Sequence, residues 1–175
     1  MALSLHEVVA GTYNQILAST AGVLAKGRAH CEANNIDLQT FVEARLRDDM
    51  NPLSFQVISV WHHSLGAVKG VQAGEFAPPP SLELDYAGLD ALVQEAQAGI
   101  AAIDAASFDS LEGADLVFKL GGNEIPFVAK DFLLSFSLPK VLRHERNLVT
   151  ADILRAEGVS IGKRDFLGAL RFKGA

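Results

Sequence analysis

A single cysteine in 175 residues, Cys31, leaves no partner for an internal disulfide, which fits a reducing compartment. Its neighbour His30 is a poor partner to activate it, because adjacent residues on a helix point about 100° apart. The thiol is therefore expected to behave as a small buried hydrophobe. The chain also lacks any run of about 18 consecutive apolar residues, the length a membrane span requires. Its start, Met1-Ala2-Leu3-Ser4-Leu5-His6-Glu7, has no basic segment leading into an apolar core, so a cytoplasmic protein is expected. Positive charge is scarce: 15 Lys and Arg against 21 Asp and Glu give a net charge of −6. Neither nucleic acid nor an anionic membrane surface is an expected partner. Gly121-Gly122 is followed by no Lys-Ser or Lys-Thr, which excludes a phosphate-binding loop and leaves a turn.

What is present is an ordinary globular composition, 49% hydrophobic and 21% charged. A chain of this length buries roughly 70% of the surface its unfolded form exposes and needs no staple to fold as one domain.

Ser4-Leu5-His6-Glu7 fits a capping box, and Leu5, Val9, Tyr13, Ile16, Thr20, Val23 and Gly27 recur three or four apart. A first helix is predicted over Ser4 to Ala33, stopped by Asn34 and Asn35 in the left-handed conformation. Asp37 caps a shorter piece through Leu46. Asn51-Pro52 predicts the start of a second helix, with Asn as cap and Pro at the first helical position, running to Ala73 and ended by Gly74. Pro78-Pro79-Pro80 forces an extended bridge. Asp85 then caps a third helix with an apolar stripe through Leu89, Leu92, Val93, Ala96, Ile100 and Ile103, to about Ala105.

A change of period comes next. Leu116, Phe118 and Leu120 alternate, Gly121-Gly122-Asn123 tolerates positive φ, and Ile125 and Phe127 alternate again, which predicts a hairpin. Pro126 makes its second strand an edge, and Phe118, Pro126 and Phe127 are candidates for meeting a partner there. A last helix is predicted from Lys130 to Glu157, kinked at Pro139 and closed by Gly158-Val159. Four long helices and a hairpin give a helical bundle.

Metal sites in such bundles are built from inward-facing His and carboxylates on several helices. The histidines are His6, His30, His62, His63 and His144. A wheel drawn at 100° per residue centres the second helix's apolar arc on Leu53, Val57, Ser64, Val68 and Val71. It places His63 at the edge of that arc and His62 nearer solvent. His144 lies between Leu133 and Leu148 on an apolar stripe of the last helix. His63 and His144 are the candidate metal ligands; a third would have to come from His6 or His30 on the first helix. Asp48-Asp49 and Glu83-Leu84-Asp85 read as solvated charge or caps, and Trp61 and Phe136 as core.

Three stretches together carry a family resemblance: Arg45 to Leu53 followed by Gln56-Val57, Lys130 to Leu134 leading to Leu138-Pro139, and Ile153 to Gly168. The chain resembles an uncharacterised bacterial family within the DinB/YfiT-like superfamily of four-helix-bundle metalloenzymes. The resemblance implies an all-α, DinB-like four-helix bundle of the up-down-down-up type, a single domain over residues 1–175, with a short β-hairpin before the last helix. It also implies a homodimer and a divalent metal, zinc or nickel, held by one histidine of the second helix and an H-x-x-x-H pair on the last. Carried over, the first falls on His63. Only His144 stands on the last helix, and Ser135 occupies a position where closer members often have histidine. The resemblance leaves two functions as expectations. One is a divergent, thiol transferase-like metal-dependent enzyme acting on a small molecule. The other is a metal-free bundle serving small-ligand binding or homodimeric interaction.

Overall fold

The computed structural model describes residues 3–146 and 149–167, with the side chains of residues 144–146, 149, 163 and 166 outside that set. The chain is mostly helical with a small three-stranded sheet. Helix α1 (Leu5–Asn34) starts at the capping box: the Ser4 hydroxyl accepts from Glu7 N–H at 3.2 Å, and Glu7 Oε2 accepts from Ser4 N–H at 3.0 Å. Every residue of its expected apolar stripe is buried. Asn35 stops it in the left-handed conformation at φ 53°, and Asp37 caps α2 (Leu38–Glu43) through Gln39 N–H.

The second long segment begins at α3 (Leu53–Trp61), where the structure differs from expectation. Pro52, not Asn51, is the N-cap residue, and no side chain caps the helix. The Ala44 carbonyl takes the Leu53 N–H at 2.9 Å instead, so a backbone partner fills the role expected of Asn51. The segment continues through a π-helical turn, His62–Gly66, into α4 (Ala67–Ala73), closed by Gly74 at φ 76°. Helix α5 (Tyr86–Ala101) has Asp85 as its cap, accepting from Gly88 N–H at 2.8 Å. It ends earlier than expected because Asp104 caps a separate helix, α6 (Ala105–Asp109).

Strands β2 (Asp115–Leu120) and β3 (Asn123–Val128) pair antiparallel, Leu120 opposite Asn123. Gly121 and Gly122 between them sit at φ 57° and 83°, values that cost glycine little. Pro126 is on the edge strand, as expected. The expected hairpin is extended by a strand that no sequence pattern predicts: β1 (Glu75–Phe76) lies parallel to β2, Phe76 opposite Phe118. Phe118 is consequently buried at 7% exposure, not presented to a partner.

The last segment runs α7 (Ala129–Asp131), a second π-helical turn (Phe132–Ser137), and α8 (Leu138–Arg146), followed by α9 (Val149–Ala156). Pro139 has no N–H to give and crowds the preceding turn. The helix widens just before it, with Leu138 N–H reaching back five residues to the Leu133 carbonyl. Gly158, at φ 90°, closes α9, and Val159 N–H bonds to Leu154 O at 2.9 Å. Helix α10 (Lys163–Leu167) packs against α1. Helix α1 packs on α5 and α8, and α3 on the same two. One continuous hydrophobic core joins them, Cys31 included at 1% exposure. No helix among the described residues is long and apolar enough to cross a membrane.

Candidate functional site

The two π-helical turns lie side by side. Three hydroxyls occupy carbonyls at them: Ser64 donates to Val60 O at 2.6 Å, Ser135 to Asp131 O, and Ser137 across the gap to His63 O. A π-helical turn inserts one residue into the helix and shifts the phase of the residues C-terminal to it, and such turns are frequent at functional sites. Of the two histidines that open the first turn, His62 lies deeper, because Phe76 of β1 covers it. His62, expected nearer solvent, is 8% exposed and stacks on Phe76 with ring centroids 4.5 Å apart. His63 is half-buried at the edge, as expected, and meets Phe136 edge-on at 5.6 Å.

Two glycines make the room for this. A Cβ on Gly66 would stand 3.0 Å from His62 Nδ1, and one on Gly70 would stand 2.9 Å from the Glu75 carbonyl and 3.0 Å from the Phe76 ring. Glycine inside a helix costs about 1 kcal/mol relative to alanine. A glycine inside a long helix, Gly70, is thus the signal in the sequence for a closely approaching neighbour. That neighbour is β1 with its Phe76 side chain.

Phe76 centres an aromatic cluster reaching Phe132 at 4.9 Å and Phe118 at 5.7 Å, while Phe118 meets Phe136 at 5.0 Å. Beside the cluster is a cavity of about 780 Å³, walled by both histidines, Phe76, Phe118 and Phe136 and by the Pro78-Pro79-Pro80 bridge. Phe136 is therefore a wall residue of the cavity, and Trp61 is tied by its indole N–H to Glu95 at 3.2 Å. Lys140 and Arg143 of α8 complete the lining, with Lys140 Nζ 5.7 Å from the centre of the Phe136 ring.

His62 Nε2 is buried without a hydrogen-bond partner. An orphaned buried group of this kind costs about 1–3 kcal/mol. Burial holds the imidazole below its ordinary pKa, partly offset by the nearby Ala77 backbone, so the ring is neutral near pH 7. The Cys31 thiol is far from this chemistry, and burial raises its pKa, leaving it protonated and unreactive.

Of the two candidate ligands, His63 lines the cavity, while the His144 side chain lies outside the described residues. His6 and His30 are engaged elsewhere, His6 edge-on to Phe108 and His30 stacked on Phe41, so helix α1 brings no third ligand to His63. Among the described residues no group of three or more His, Cys, Asp or Glu comes together to hold a metal ion. The imidazoles present at the cavity wall do not by themselves make the donor set of a zinc site, which typically takes three protein ligands and one open position.

The fold is that of the DinB-like helical proteins: the crystal structure of a DinB family member protein from Shewanella denitrificans is similar at a TM-score of 0.78. The match covers 98% of this chain and 96% of that one at 20% sequence identity. Residues 5–167 match the family described as a domain of unknown function, DUF1993, and the chain belongs to that family. No curated protein matches the chain.

Proposed function

We propose that this protein is a small-molecule-binding helical bundle and that the cavity between the two π-helical turns is its ligand site. In this reading α1, α3–α4, α5 and α7–α9 are the four helices of a DinB-like bundle, and β2–β3 is the inserted hairpin. The observation that carries the proposal is the cavity itself. Its volume of about 780 Å³ falls within the roughly 300–1,000 Å³ of ligand pockets, which are mostly apolar and carry a few placed polar groups. Aromatic rings, imidazoles and two cations converge there.

The test is binding of N-phenyl-1-naphthylamine, an uncharged aromatic dye that fluoresces when it leaves water. The expected result is saturable binding that Ser54→Trp, which puts an indole into the cavity, weakens about tenfold, or roughly 1.4 kcal/mol, with an unchanged far-UV spectrum. No binding, or binding indifferent to the substitution in a folded variant, overturns the reading.

A metal-dependent reading keeps one specific observation in its favour, the histidine pair at the cavity wall with His62 Nε2 unsatisfied. It needs His63, His144 and a further ligand. Stoichiometric zinc or nickel in protein purified without a histidine tag, lost in His63→Ala, supports it; metal-free protein that still binds the dye removes it.

A further inference from the structure

We infer that the natural occupant of this cavity is an organic anion, an apolar or aromatic body ending in a carboxylate, sulfonate or phosphate. The inference rests on the ligand-site reading above and adds the charge of the ligand to it. The chain carries six more acidic than basic residues, yet the described residues around the cavity include Lys140 and Arg143 and no Asp or Glu. The sign of charge is reversed there. Lys140 and Arg143 stand three apart on α8 and so lie on one face of it. Among the described residues neither is engaged by a carboxylate, whereas Lys26, Arg28, Lys69, Lys119 and Lys130 all are.

Two adjacent cations without a counter-charge repel each other and raise the local concentration of anions. Charge-assisted hydrogen bonds from a lysine and an arginine to one acidic group are about twice as strong as neutral ones. Phe76, Phe118 and Phe136 line the same cavity, which suits an aromatic or aliphatic body. The cavity thus offers two cations on α8 beside aromatic rings, with Lys140 Nζ 5.7 Å from the centre of the Phe136 ring.

The experiment compares 8-anilinonaphthalene-1-sulfonate with N-phenyl-1-naphthylamine, which differs from it only by lacking the sulfonate. The sulfonate stays ionised at every pH used, so the comparison reads charge alone. The expected result is affinity about tenfold tighter for the sulfonate, falling towards that of the neutral dye in about 0.5 M salt. Replacing both Lys140 and Arg143 by Met should abolish the preference. Equal affinities for the two dyes, or a preference that survives the double substitution, overturns the anion inference while leaving the ligand site standing. Binding of neither dye overturns both.

Discussion

The Ser137 hydroxyl donates to the His63 carbonyl, joining the two π-helical turns across the molecule. Tyr13 Oη lies 2.6 Å from the same Ser137 oxygen. The serine's one proton is committed to His63, so Tyr13 is the donor to it. Burial pushes the Tyr13 phenol's pKa upwards, which keeps that proton in place. Three segments, α1 and both π-helical turns, thus meet at one buried oxygen.

Removing that oxygen should therefore cost more than removing either bond alone. Ser137→Ala leaves the Tyr13 hydroxyl buried without its acceptor, and a loss of about 2–3 kcal/mol is expected in urea unfolding. Tyr13→Phe leaves the serine still bonded to His63 and should cost only about 1 kcal/mol. Equal costs in the two variants would contradict this arrangement.

Gly70 is where the helix admits β1. Gly70→Ala would press a methyl against the Glu75 carbonyl, a backbone atom with little freedom to move, and a destabilisation of about 2–3 kcal/mol is expected. Because Phe76 moves with β1, dye binding should weaken in the same variant. A neutral or stabilising alanine, as ordinary helix propensity predicts, would contradict the packing described.

His62 gives a pH dependence whose sign is fixed by its lowered pKa. In the unfolded chain the ring takes up a proton as pH falls through about 6.5. In the folded chain it remains neutral to lower pH, so the unfolded state binds more protons in that window. Stability is fully present above about 6.5 and declines as pH falls towards the folded pKa. His62→Phe keeps a ring against Phe76 and removes the titration. Its unfolding free energy should fall less between about pH 7.5 and 5.5 than the parent's; parallel curves would contradict the assignment.

How much of the molecule was legible depended on distance along the chain. The caps at Ser4, Asp37 and Asp85 and the left-handed stops at Asn35 and Gly158 are local events, decided by a few neighbouring residues, and the sequence carries them. The cap at Asn51 was misplaced because its role passed to the Ala44 carbonyl, a tertiary partner. Strand β1 is two residues long and pairs with a strand some 40 positions on, so no local alternation announces it. At the site, the depth of His62 is set by β1, whose Phe76 stacks on it. A helical wheel carries no sign of that strand, so it puts His62 nearer solvent, whereas the structure buries it more deeply than His63. Gly70, a glycine inside a long helix, is the sequence's clue to the close approach of β1.

The most direct test of the cavity as an anion-binding ligand site is a crystal structure of the protein with 8-anilinonaphthalene-1-sulfonate bound. The naphthalene is expected against Phe76, Phe118 and Phe136 and the sulfonate at Lys140 and Arg143. Dye seated on the exposed strand residues Ile125 and Val128 with the cavity empty would contradict it, as would dye in the cavity with its sulfonate turned away from α8.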